Sequence, residues 1–154
     1  MFLSNLYPNS LDKLNDDYSM PYEIPTMELK LNNLCNLKCR SCGPADSSLW
    51  VEDIYEVGSK TFHVLGMPNK YEIEKKGNVY KIKSEDFQYY NSEQFHNELS
   101  KVIPNINRIY FTGGEPLIVN EYWETLERLI AQGVSKNISL RYNTNLSTLK
   151  YKDK

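Results

Sequence analysis

The sequence contains no long apolar run, so a transmembrane helix is excluded. Its first residues, Met1-Phe2-Leu3-Ser4-Asn5, lack the positive start and apolar core of a secretory leader. Basic excess is also missing. Lysine and arginine number 18 against 20 aspartates and glutamates, which argues against a nucleic-acid-binding face. Lys150, Lys152 and Lys154 read as a solvated end. There is no low-complexity tract and no long repeat. Histidine is scarce, only His63 and His96. Cysteine is scarce too. The three present, Cys35, Cys39 and Cys42, crowd into eight residues and cannot pair off evenly as disulfides. Clustered thiols of this kind belong to a reducing compartment, and a cytoplasmic protein is expected.

What is present alternates. Residues 1–26 are rich in Asn, Asp, Tyr and Pro, show no period, and read as a lead-in to a core over 27–154. Met27, Leu29 and Leu31 alternate with Glu28 and Lys30 as a strand that runs into the cysteine loop. Residues 45–57 read as a helix capped by Asp46 or Ser47, with Leu49, Trp50 and Ile54 on its buried stripe and Gly58 beyond its end. Residues 59–90 break the rhythm and read as an insertion. Within it, residues 71–75 and 79–82 flank Lys76-Gly77-Asn78 as a hairpin.

A second helix opens at Asn91, with Phe95, Leu99, Val102 and Ile103 on one face. Residues 108–112 form the next strand. Asn120 caps a third helix striped by Tyr122, Leu126, Leu129 and Ile130, and Ile138, Leu140 and Tyr142 mark a third strand. Strand, helix, strand, helix, strand predicts an α/β fold with a parallel sheet and crossover helices.

Three polar motifs then follow three strands: the cysteines, Gly113-Gly114-Glu115-Pro116, and Asn143-Thr144-Asn145. The C-terminal edge of a parallel sheet is where such folds bind ligands. Thiolates spaced Cys-x3-Cys-x2-Cys can hold three corners of a cubane iron–sulfur cluster and leave the fourth iron open to a small molecule. The alternative is a zinc ion held by the same thiolates with His63 or His96. The glycine pair lets backbone approach a ligand closely, and Glu115 offers a carboxylate suited to an ammonium group. The Asn-Thr-Asn stretch can bind ribose hydroxyls or a carboxylate, or can simply form a turn.

Cys35-Asn36-Leu37-Lys38-Cys39-Arg40-Ser41-Cys42 together with Thr112-Gly113-Gly114-Glu115-Pro116-Leu117 resembles the radical S-adenosylmethionine (SAM) superfamily. Asn143-Thr144-Asn145 resembles a third motif of the branch with SPASM or twitch domains. Cys39 to Pro44 followed by Ser47-Ser48-Leu49-Trp50 is closest to the twitch type. The resemblance spans residues 27 to about 147.

The resemblance implies a [4Fe-4S] cluster on Cys35, Cys39 and Cys42, with SAM chelating the open iron. It implies cofactor contacts from Gly113, Gly114, Glu115, Thr144 and Asn145. One electron, delivered by an external donor, would cleave SAM to a 5′-deoxyadenosyl radical that abstracts hydrogen from a substrate: a peptide, a nucleoside precursor or a small metabolite. Ser41 stands where the family commonly has an aromatic residue, and Leu146 where it often has glycine. The family barrel has six strand–helix units and this sequence shows about three. The expected architecture is therefore a partial (β/α) barrel with a hairpin insertion, either a fragment or one that a partner chain completes. A non-catalytic zinc- or cluster-binding module, or a degenerate half-barrel that turns nothing over, is the competing expectation.

Overall fold

A computed structural model describes residues 15–17, 25–63, 70–83 and 89–149. Most of the lead-in and the terminal lysines fall outside these residues. Two sheets organise the described chain. The first is parallel, built from β1 (Thr26–Lys30), β5 (Arg108–Thr112) and β6 (Ser139–Tyr142), with β5 in the middle. Met27 stands beside Ile109 and Leu29 beside Phe111, and Ile109 stands beside Leu140 on the other flank. The second sheet is antiparallel and holds β2 (Thr61–His63), β3 (Lys70–Lys76) and β4 (Val79–Lys83).

The alternation of apolar residues decides the faces of the parallel sheet. Leu29, Ile109 and Phe111 point to one side and are buried with Leu99 and Val102 of α2 (Glu93–Val102) and Tyr122 and Leu129 of α3 (Asn120–Ala131). Both helices thus cover the same face. The other face carries Glu28, Arg108, Tyr110, Thr112 and Arg141, placed by the two-residue period of the strands. Successive strands sit side by side in one direction, and their crossover helices stay on one side.

The first crossover holds more than a helix. α1 (Leu49–Glu56) does not cover the parallel sheet. Its Val51 is buried with Phe62, Tyr71, Ile73 and Ile82 of the antiparallel sheet, with Ile54 and Tyr55 packed at the margin. The expected stripe of Leu49, Trp50 and Ile54 is corrected accordingly. Leu49 is exposed, and the Trp50 indole N–H donates to the Cys39 carbonyl. The caps differ as well. Ser48 precedes α1 with no side-chain cap, because Asp46 is drawn to Lys30 and the Ser47 hydroxyl donates to the Leu37 carbonyl. Ser92, not Asn91, caps α2 by accepting from the Phe95 N–H. Asn120 is the first residue of α3, after Val119.

The hairpin between β3 and β4 forms as the Gly-Asn pair suggested. Gly77 has φ +60° and Asn78 does not share it, the pattern of a turn with glycine at its first central position. β2 was not legible as a strand, since three residues show no alternation. Among the described residues no helix is long and apolar enough to cross a membrane.

Candidate functional site

The three motifs meet at the C-terminal edge of the parallel sheet. The cysteine loop leaves β1 and is tied shut at its base. The Asn33 carboxamide donates to the Pro44 carbonyl at 2.7 Å, and the Ser48 N–H returns to the Asn33 carbonyl at 2.7 Å. Ser47, fully buried, donates to Leu37 across the loop at 2.8 Å. Lys30 and Asp46 close the outside at 2.6 Å.

Within this loop all three cysteines are free thiols, Cys39 exposed, Cys35 and Cys42 half-buried. The Leu37 N–H points at Cys35 Sγ, 3.4 Å away, and the Cys42 N–H bonds to the Cys39 carbonyl at 3.1 Å. Burial raises the Cys42 pKa. A hydrogen bond with Ser41 opposes this, while Cys39, Asp46 and Cys35 add to the rise. Among the described residues no three His, Cys, Asp or Glu side chains gather as ligands of one metal ion. His63 closes β2, and His96 lies in α2 under the influence of Glu124 and Arg128 of α3.

The glycine pair has a steric origin. A Cβ on Gly114 would stand 1.9 Å from the Leu34 carbonyl oxygen, and one on Gly113 2.4 Å from that of Asn32. Gly113 also holds φ +107°, which a side chain disfavours. Only bare backbone lets the end of β5 press against the chain entering the cysteine loop. Two hydrogen bonds use that closeness: Gly114 N–H to Asn32 carbonyl at 3.2 Å and Glu115 N–H to Leu34 carbonyl at 2.8 Å.

Glu115 is 1% exposed. The sequence suggested an ammonium as partner for its carboxylate. The structure instead supplies three donors from the chain. Oε1 accepts from the Leu117 N–H at 3.1 Å and the Thr144 hydroxyl at 2.6 Å, and Oε2 accepts from the Asn145 N–H at 2.6 Å. A buried carboxylate needs such partners. Here they lock the third motif onto the second.

Asn36 closes the circle. Its carboxamide donates to the Ser147 hydroxyl at 2.6 Å and accepts from the Asn145 carboxamide at 2.9 Å. The cysteine loop, the glycine pair and the Asn-Thr-Asn turn thus form one hydrogen-bonded assembly. Sequence reasoning named Cys35, Cys39, Cys42, Gly113, Gly114, Glu115, Thr144 and Asn145, and these residues fall together. It missed Asn32, Asn33, Asn36, Ser47 and Ser147. Asn36, lodged between two cysteines, and Ser47, read only as a helix cap and in the twitch-type stretch, carried the visible signals.

Comparison with family models, curated proteins and solved structures returns no match.

Proposed function

We propose that this chain is a radical SAM enzyme, or the cluster-binding half of one. One observation carries the reading: three motifs from three separate strand ends are interlocked through Glu115 and Asn36. The donor chemistry fits a [4Fe-4S] cluster. Three free thiols share one loop, and a backbone N–H is aimed at Cys35 Sγ, as suits a sulfur that carries charge. A zinc ion would draw its thiolates to a single point, whereas a cubane takes each on a different iron.

When bound at Cys35, Cys39 and Cys42, the cluster supplies the electron for reductive cleavage of SAM, giving a 5′-deoxyadenosyl radical for hydrogen abstraction. The chain's own residues position that chemistry. Gly113 and Gly114 keep side-chain bulk away from the loop. Glu115 holds Thr144 and Asn145 in place, and Asn36 fixes the cysteine loop to the same frame. Such a protein works in a reducing compartment such as the cytoplasm, with an external electron donor.

The architecture supports a barrel arc. Strands in the order β1-β5-β6, with two helices on one face and polar side chains on the other, support a reading as two (β/α) units and a third strand of such a barrel. The outer edge of β6 favours a completed form. Among the described residues β6 pairs with β5 alone, and further strands, in this polypeptide or a partner, would pair along its free edge. A cavity of about 720 Å³ lies over the polar face, lined by Thr26 of β1, Arg108 and Tyr110 of β5, and Leu140, Arg141, Tyr142 and Asn143 at β6.

Anaerobic reconstitution with iron and sulfide tests the reading. A brown protein with about four irons per chain is expected, and Cys39→Ala should abolish both iron and deoxyadenosine formation. One zinc per chain without visible absorption would favour the structural module. A full cluster without deoxyadenosine would favour a half-barrel inactive until strands are added beside β6.

A further inference from the structure

Between the cysteine loop and the antiparallel sheet lies a cleft of about 590 Å³. Its walls are Asn32–Leu34 at the end of β1, the first turn of α1 from Ser48, the pair Tyr90 and Asn91, and β4. The turn residue Asn78 is followed in this wall by four consecutive residues of β4: Val79, Tyr80, Lys81 and Ile82. A strand that offers one face to a cleft contributes every second residue. Consecutive residues mean that the edge of β4 lines it.

That edge is open. β4 pairs with β3 on one side only. A two-residue turn makes Lys76 and Val79 a hydrogen-bonded pair, so Lys81 and Lys83 also bond inward. The N–H and C=O groups of Tyr80 and Ile82 therefore point outward. Among the described residues no backbone group meets them. The strand is held firmly for such an edge: Ile82 is buried against Val51, and the Tyr80 hydroxyl donates to Glu56 of α1.

We propose that the outer edge of β4 receives an extended peptide as an added strand, with an acidic side chain of the peptide against Lys81. Edge addition satisfies the outward groups of Tyr80 and Ile82 by main-chain pairing. Asn78 and Asn91 add polar side chains to the cleft wall, whereas the carboxamides of Asn32 and Asn33 are already bonded to Leu34, Glu121 and Pro44. Lys81 on the β4 wall favours an acidic side chain beside it, and Glu52 of α1 puts the opposite charge on the facing wall, away from the strand edge. The hairpin over residues 70–83 carries five lysines and two glutamates. Lys75, Lys76 and Lys83 have carboxylate partners at Glu56, Glu74 and Glu72, while no carboxylate is paired with Lys81 among the described residues. A second copy at this edge would set one lysine-rich hairpin against another, which disfavours self-pairing. The cleft ends at Leu34, next to Cys35, so a peptide lying in it passes beside the cysteine loop. That the docked peptide is also the substrate rests on the radical SAM reading. The docking does not.

The test pans a random decapeptide library against the metal-free wild-type chain and its Lys81→Glu variant. Enriched wild-type binders should carry acidic residues at alternate positions and slow amide exchange at Tyr80 and Ile82 by at least tenfold. Lys81→Glu, at an exposed position, should weaken them at least fivefold and select basic peptides instead. No enrichment, enrichment indifferent to residue 81, or protection at residues other than 80 and 82 would overturn the proposal. Protection of Tyr80 and Ile82 that grows with protein concentration alone would overturn it in favour of a second copy. Because cluster and SAM are absent from this assay, its outcome is independent of deoxyadenosine formation.

Discussion

The Thr144 hydroxyl donates to the Glu115 carboxylate at 2.6 Å, across a separation of 29 residues. With the Asn145 N–H on the other oxygen, this contact makes the turn after β6 dependent on the loop after β5. Glu115→Gln keeps the shape but puts an NH₂ group where a donor already stands. The expected loss is about 1–3 kcal/mol of folding stability, the usual penalty for a buried donor left unpaired. Urea unfolding checks it. Amide exchange should accelerate over residues 143–147 more than in β1, because that turn loses its anchor.

The layout of elements was legible because both periods were clean. Leu29, Ile109 and Phe111 alternate as strands, and Leu99, Val102, Tyr122 and Leu129 recur as helices. Sequence gave no means of telling which surface α1 would cover. Val51 could have packed on either sheet, and the choice depends on contacts with Phe62, Tyr71 and Ile82, distant in sequence. The site residues were legible as motifs but their partners were not. Glu115 looked like a ligand group, and only three-dimensional packing shows Thr144 and Asn145 as its donors. Ile130 was read as part of the buried stripe of α3, yet it is 66% exposed. A stripe read four residues wide overshoots when the partner sheet has only three strands.

The glycines near the cysteine loop should respond very unequally to alanine. Gly114→Ala puts a methyl 1.9 Å from the Leu34 carbonyl oxygen, and backbone cannot rotate aside as a side chain can. A loss of about 3 kcal/mol or more is expected, at the upper end for overpacking. Gly43, inside the loop, has no atom within 4 Å of its would-be Cβ and no positive φ. Gly43→Ala should change stability by less than about 0.5 kcal/mol. Thermal unfolding of the two variants compares them directly. Equal losses would show that β5 does not press against the loop as described.

Leu146 is the only described residue other than glycine with positive φ, at +53°. Its side chain is 62% exposed, so little packing rewards the strain. The left-handed conformation costs an L-residue about 1–2 kcal/mol, and glycine gives back about 0.5–1 kcal/mol of that as unfolded-state entropy. Leu146→Gly should therefore stabilise the chain by up to about 1 kcal/mol. Leu146→Val, branched at Cβ, should destabilise it. Chemical denaturation of both variants measures the effect, and a glycine variant less stable than the parent would count against the strained turn.

Tyr122 links the core to alkaline behaviour. It is buried against Phe111, with ring centroids 4.7 Å apart and the rings nearly perpendicular. Burial, helped by neighbouring Tyr142, pushes its pKa up to about 12 from the 10.0 usual for a tyrosine. The unfolded chain therefore releases this proton first as pH rises. Between about 10 and 12 the unfolded state holds fewer protons than the folded state, so stability falls with pH. The contribution is complete below 10 and gone above the folded value. Tyr122→Phe keeps the ring contact and removes the hydroxyl, so its stability should decline less steeply across this window. Denaturant midpoints for both proteins between pH 9 and 12 provide the comparison. Parallel curves would mean that the Tyr122 phenol titrates alike in the folded and unfolded chains.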